Sequence, residues 1–128
     1  MNNLNAKIGK FVREWSNHAW SSGPTTGEDY ESFQRKYRNL LKGVAEEAGF
    51  ELYHFGKNHY CFSAVLRHKE TGAFAFVSIS DVRFFNGEWH SRILYRQMRH
   101  EKDWAGLNNH FSTLEELPRN LFLLFPNF

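Results

Sequence analysis

Arg67, Arg83, His90, Arg92 and Arg96 are the residues whose type and spacing carry the most definite chemistry. On strands, their parity would collect them on one face of a sheet. Guanidinium forks on such a face bind carboxylate or phosphate oxygens bidentately. Asp81 stands opposite Arg92, and one carboxylate does not neutralise four guanidiniums. The competing reading is ordinary cross-strand pairing on a solvated face, with Glu88 near a hairpin tip taking part.

A second group follows in the polar stretch 98–111: Arg99, His100, Lys102, Asp103, Trp104 and His110. His100, Asp103 and His110 are of types that ligate zinc or exchange protons. Their spacing matches no zinc pattern, and the chain carries no H-E-x-x-H, C-x-x-C, G-x-S-x-G or P-loop motif. They read as residues that cap backbone groups or face water, so no metal, cofactor or catalytic residue is expected. The alternative is a small metal-independent ribonuclease of the toxin type, with histidine, arginine and acidic groups as acid, base and phosphate clamp. Cys61, the only cysteine, has no identified base and reads as a structural thiol. Trp20 and Trp104 lie in loops, where an aromatic beside basic residues can stack on single-stranded nucleic acid.

These side chains need elements to position them. Leu4, Ile8, Phe11, Val12 and Trp15 recur at helical spacing and predict a helix over about 4–15, weakened by Gly9. Thr25 and Glu28 fit a capping box that opens a second helix over about 26–48. Its apolar stripe is Tyr30, Phe33, Tyr37, Leu40, Leu41, Val44 and Ala48, and Gly49 stands where a left-handed C-terminal cap belongs. Gln34, Arg35, Lys36, Arg38 and Lys42 fall largely on the other side and read as a solvated face. Ser112 and Glu115 fit another capping box for a last helix over about 113–124, which would contain Pro118.

Between the helices, 50–97 reads as four antiparallel strands. Phe50 to Phe55 is the first, turned by Gly56-Lys57-Asn58. A type I turn followed by left-handed Gly72 suits the next hairpin and sets His68 opposite Phe74, Leu66 opposite Phe76 and Phe62 opposite Ser80. Asn86-Gly87 suits a type I′ turn and sets Phe84 opposite Trp89, Ser80 opposite Ile93 and Ser78 opposite Tyr95. These registers put Tyr60, Phe62, Ala64, Leu66, Phe74, Phe76, Val82, Phe84, Trp89, Ile93 and Tyr95 on a core face. The other face holds Arg67, Asp81, Arg83, His90, Arg92 and Arg96 around Val65, Val77, Ile79 and Leu94. A slip by one residue exchanges such sets.

With 128 residues the chain is the size of one domain, and 13 Phe, 4 Trp and 5 Tyr supply ample core area. A net charge of +2 excludes a polycation or an acidic nucleic-acid mimic, while a pI near 8.8 permits a nucleic-acid partner. One cysteine forms no internal disulfide, Met1 to Asn5 lacks the apolar core of a signal peptide, and no run reaches the length of a membrane span. The expectation is a single cytoplasmic domain with no membrane partner.

The segments Ser78 to Trp89, Ile93 to Arg96 and Lys102 to Gly106, about a sixth of the chain, resemble a block of short uncharacterised proteins from bacterial phages, plasmids and integrative elements. The family form of the last part is nearer K-D-Y-T-G-G, and this chain departs from it at Trp104, Ala105 and Leu107. The block carries no established catalytic residues. The resemblance implies a mobile-element setting, where small proteins of the anti-CRISPR kind bind effector nucleases or their nucleic-acid sites.

The expected fold is α+β: two N-terminal helices packed on a four-stranded antiparallel meander, with a C-terminal helix. The expected function is non-enzymatic binding of nucleic acid or a nucleoprotein, such as a CRISPR-Cas effector, through Arg67, Arg83, His90, Arg92, Arg96, Arg99, His100, Lys102 and Trp104. A third reading is a homo-oligomer, a homodimer for instance, joined through the apolar tail 121–128.

Overall fold

The computed structural model describes residues 2–16, 18, 28–58, 61–79 and 89–125. Two helices come first, α1 (Asn2–Ser16) and α2 (Glu28–Glu47). Ile8, Phe11 and Trp15 of α1 and Phe33, Tyr37, Leu40, Leu41 and Val44 of α2 are buried, which are the stripes read from their spacing. Gly49 follows α2 at φ +87°, a left-handed conformation that suits a residue without Cβ. The Thr25–Glu28 box and Trp20 lie outside the described residues, as do Tyr60, Asp81, Val82, Arg83, Phe84 and the Asn86-Gly87 turn. Among the described residues no helix is long and apolar enough to cross a membrane.

The protein is α+β. Among the described residues its sheet has five antiparallel strands in the order of the chain: β1 (Phe50–Asn58), β2 (Cys61–His68), β3 (Phe74–Ile79), β4 (Ile93–Met98) and β5 (His110–Ser112). A short helix, α3 (Leu117–Phe122), follows. All three helices share one core with one sheet face. Phe33 sits at its centre, with ring centroids at 5.3 Å from Phe11 and Trp15 and 5.4 Å from Phe62 and Trp89.

Several expectations are corrected. Five strands replace four, because His110–Ser112 leaves the expected loop and pairs with β4, Leu94 standing opposite Phe111. β1 does not turn at Gly56-Lys57-Asn58; it runs to Asn58, which pairs with Cys61. Trp89–Ser91 is a 3-10 turn rather than strand, and β4 begins only at Ile93. The last helix is shorter than 113–124. The Thr113 hydroxyl, rather than Ser112, accepts a bond from the Glu116 amide at 3.1 Å, and Pro118 stands in the first turn of α3, where its missing amide costs nothing.

The largest correction is in β3. Phe62 pairs with Ile79 and Leu66 with Ala75, while Ser78 pairs with Leu94, so β3 is offset by one residue from both expected registers. The cause is its entry turn. His68 and Ala73 close a four-residue loop, Lys69 to Gly72, through His68 N–H to Ala73 O at 2.7 Å and Gly72 N–H to His68 O at 2.9 Å. The His68 imidazole caps it, Nδ1 accepting from the Glu70 and Thr71 amides at 3.2 and 3.3 Å. Gly72 takes the expected left-handed conformation, φ +77°, but the loop is one residue shorter than expected. β2 and β4 keep their expected faces, and β3 exchanges its own. Ala75, Val77 and Ile79 lie in the core; Phe74, Phe76 and Ser78 face away from the helices.

This register makes Ile79 a core residue and Ser78 an outer one. Ile79→Ala should cost about 2–5 kcal/mol in urea unfolding, and Ser78→Ala less than about 1 kcal/mol. Small and equal effects would restore the other register.

Candidate functional site

The outer sheet face is built in rows that follow the ladder. Glu51, Arg67, Phe74 and Met98 form the first row; His54, Val65, Phe76 and Arg96 the second; Gly56, Ser63, Ser78, Leu94 and Phe111 the third. A β-bulge in β1 between Leu52 and His54 leaves Tyr53 unpaired in the ladder. Its ring meets Phe74 edge-on at 5.2 Å.

Residues 99–109 fold back against this face, and three residues hold them. Asp103 is buried, and its carboxylate accepts the Arg99 amide at 2.9 Å and the Gly106 amide at 3.2 Å. Arg96 donates through Nη2 to the carbonyl of Trp104 and through Nη1 to Oδ1 of Asn109 at 3.1 Å. Its guanidinium carbon lies 4.4 Å from the centroid of Phe76, a cation–π contact. Gly106 has φ +63°, and a Cβ there would stand 2.6 Å from Arg96 Cδ, so only glycine lets the arginine pass. Tyr53 donates to Glu101, which ties the β1 bulge to the loop and raises the tyrosine pKa.

The result is a face of aromatic character with cations set into it. Trp104 meets Phe76 edge-on at 6.4 Å and is 53% exposed; Phe111 is 63% exposed. Beside Trp104 is a pocket of about 260 Å³ lined by Val65 and Phe76 with His54 and Ser63 at its polar part.

The structure sorts the residues singled out from the sequence. Arg67 lies on the face and pairs with Glu51 at 3.4 Å, both side chains about half exposed. Arg99 pairs with Asp103 at 3.5 Å. Arg96 is committed to the loop and builds the face rather than standing free on it. His100 accepts the Lys102 amide on Nδ1 at 3.2 Å, within the loop. Lys102 and Trp104 are exposed. Arg92 is exposed just before β4. His90 is set apart in the 3-10 turn, edge-on to Trp89, with its carbonyl accepting the Leu114 amide. Arg83 lies outside the described residues. His110 lies against Tyr95, ring centroids 5.2 Å apart and tilted by 31°, on the core-facing parity of β5, so the ladder does not bring it to His100. Among the described residues no three His, Cys, Asp or Glu side chains group as a metal site.

Sequence reasoning missed Tyr53, Phe74, Phe76, Glu101 and Phe111. The signal present was the alternation of aromatic Phe74 and Phe76 with aliphatic Ala75, Val77 and Ile79. Comparisons with protein-family models, curated proteins and solved structures found no match to this chain.

The Arg99 amide above all holds the Asp103 carboxyl below its ordinary value of 3.8. Its contribution is therefore complete above that value and is lost as the pH falls through the lower folded one. Acidification through this window, or Asp103→Asn at neutral pH, should lower the protection factors (exchange relative to the intrinsic rate at the same pH) of the Arg99 and Gly106 amides while Phe62 and Leu66 stay protected. Unchanged exchange at Gly106 would remove Asp103 from its holding role.

Proposed function

We propose that the chain is a non-enzymatic binding protein that engages single-stranded nucleic acid, free or within a nucleoprotein, through its outer sheet face. The observation that carries this is the register of β3, which turns the half-buried Phe74 and Phe76 outward against the exposed Tyr53 and Trp104, with exposed Phe111 further along the face on β5. Exposed aromatics among cations are what a stacking platform for unpaired bases needs. Arg67, Arg99 and Lys102 stand around them. The ion pair of Arg67 with Glu51 is about half exposed on both sides, where such pairs contribute about 0–1 kcal/mol, so a phosphate can take the carboxylate's place at little cost.

The mobile-element setting implied by the Ser78–Gly106 block adds a target: a host defence nuclease such as a CRISPR-Cas effector, which such binding would inhibit. That step rests on the resemblance alone. The ribonuclease reading gains no support from His100 and His110, since one is committed within the outer loop and the other lies against Tyr95.

Fluorescence anisotropy with a labelled single-stranded oligonucleotide tests the proposal. Trp104→Ala should weaken binding roughly 5- to 150-fold, the loss of one base stack of about 1–3 kcal/mol. Affinity should also fall steeply with salt. No binding at low salt, or binding indifferent to Trp104→Ala, would reject it.

A further inference from the structure

Gly56 lies within β1, and nothing in its own backbone calls for glycine. It is not among the glycines at positive φ, and it pairs with Ser63 in unbroken register beyond the bulge at Tyr53. Glycine weakens a strand interior, and where it serves neither a bulge nor a bend it marks the close approach of a ligand or another backbone. Among the described residues a Cβ here would meet only the His54 imidazole, 3.6 Å from Nε2, so the space a side chain would take is open. The row that contains it begins with small residues, Gly56, Ser63 and Ser78 side by side on the outer face. The row next to it is tall: half-buried Phe76 stands there with exposed Trp104 edge-on against it. The pocket of about 260 Å³ is the step between the two rows, a trough with an aromatic wall and His54 beside it. Ser63 Oγ donates to Ser78 Oγ at 3.4 Å, and a hydroxyl has one donor and two acceptor sites, so both keep capacity for a ligand.

We infer that this trough takes one unpaired nucleobase, its ring against Trp104 and Phe76 and its polar edge on the Ser63 and Ser78 hydroxyls. The inference rests on the outer face being a nucleic-acid surface and adds a fixed point to it. Stacking on an exposed aromatic tolerates any base in any register, whereas a trough with a hydroxyl floor seats one base by its edge. An apolar wall with a few convergent polar groups is the usual make-up of a small-ligand site. The polar groups favour a base over an aromatic side chain of a protein. Phe, Tyr and Trp bring at most one polar atom to two hydroxyls and an imidazole, while every base carries several donors or acceptors along its edge. A merely solvated face needs no glycine at position 56, where a β-branched residue would suit the strand better.

The probe is a labelled oligothymidine of about 12 nucleotides, followed by fluorescence anisotropy. Gly56→Val fills the trough and should weaken binding by about tenfold, with Tm unchanged or raised because a β-branched residue suits the strand. Ser63→Ala, which removes one hydroxyl and leaves the aromatic wall, should weaken it by about threefold. If Gly56→Val melts early, Ser63→Val, which fills the trough from β2, should act in the same direction. Free thymidine should displace the oligonucleotide and N-acetyltyrosinamide should not. Wild-type binding that falls on Trp104→Ala yet is indifferent to Gly56→Val and Ser63→Val overturns the trough and leaves surface stacking standing. Displacement by N-acetyltyrosinamide and not by thymidine overturns it in favour of a protein side chain. No binding by the wild type overturns both this inference and the reading it rests on.

Discussion

The four-residue turn Lys69 to Gly72 is the constraint on which the rest of the structure depends. It fixes where β3 enters the sheet, and a strand's side chains change face with every residue of slip. With His68 N–H bonded to Ala73 O and the imidazole capping the loop, Ala75, Val77 and Ile79 meet the helices. These are small or branched aliphatics, and they leave room for Phe33 and its aromatic neighbours to fill the core. The same turn sends Phe74 and Phe76 to the other side, where none of the described helices covers them. Core packing and the composition of the outer face thus follow from one turn.

The outer face is then shaped by the return of 99–109 onto β4. Arg96, Asp103 and Gly106 act together: a carboxylate that gathers two amides, an arginine that gathers a carbonyl and an amide oxygen, and a glycine that makes way for it. The loop they build displays Trp104, which is 53% exposed. A rigid frame presenting an exposed aromatic is the usual division of labour between scaffold and recognition residue.

The helices were legible because each has one apolar stripe at one period, and Gly49 and Gly72 because positive φ is a local demand. β3 was not, since both of its parities are apolar and the choice lay in one residue of loop length. β5 was hidden by its brevity; three residues carry too little alternation to read. The arginines were legible as residue types, yet their partners come from elsewhere in the chain: Glu51 for Arg67, the Trp104 carbonyl and Asn109 for Arg96.

The most direct test of the central claim is amide chemical-shift mapping on isotopically labelled protein titrated with a single-stranded oligonucleotide. The account predicts shifts at the Trp104 indole and at the amides of Phe74, Phe76 and Arg99, with Ile8 and Val44 unmoved. Shifts confined to α1 and α2, or none at all, would contradict it.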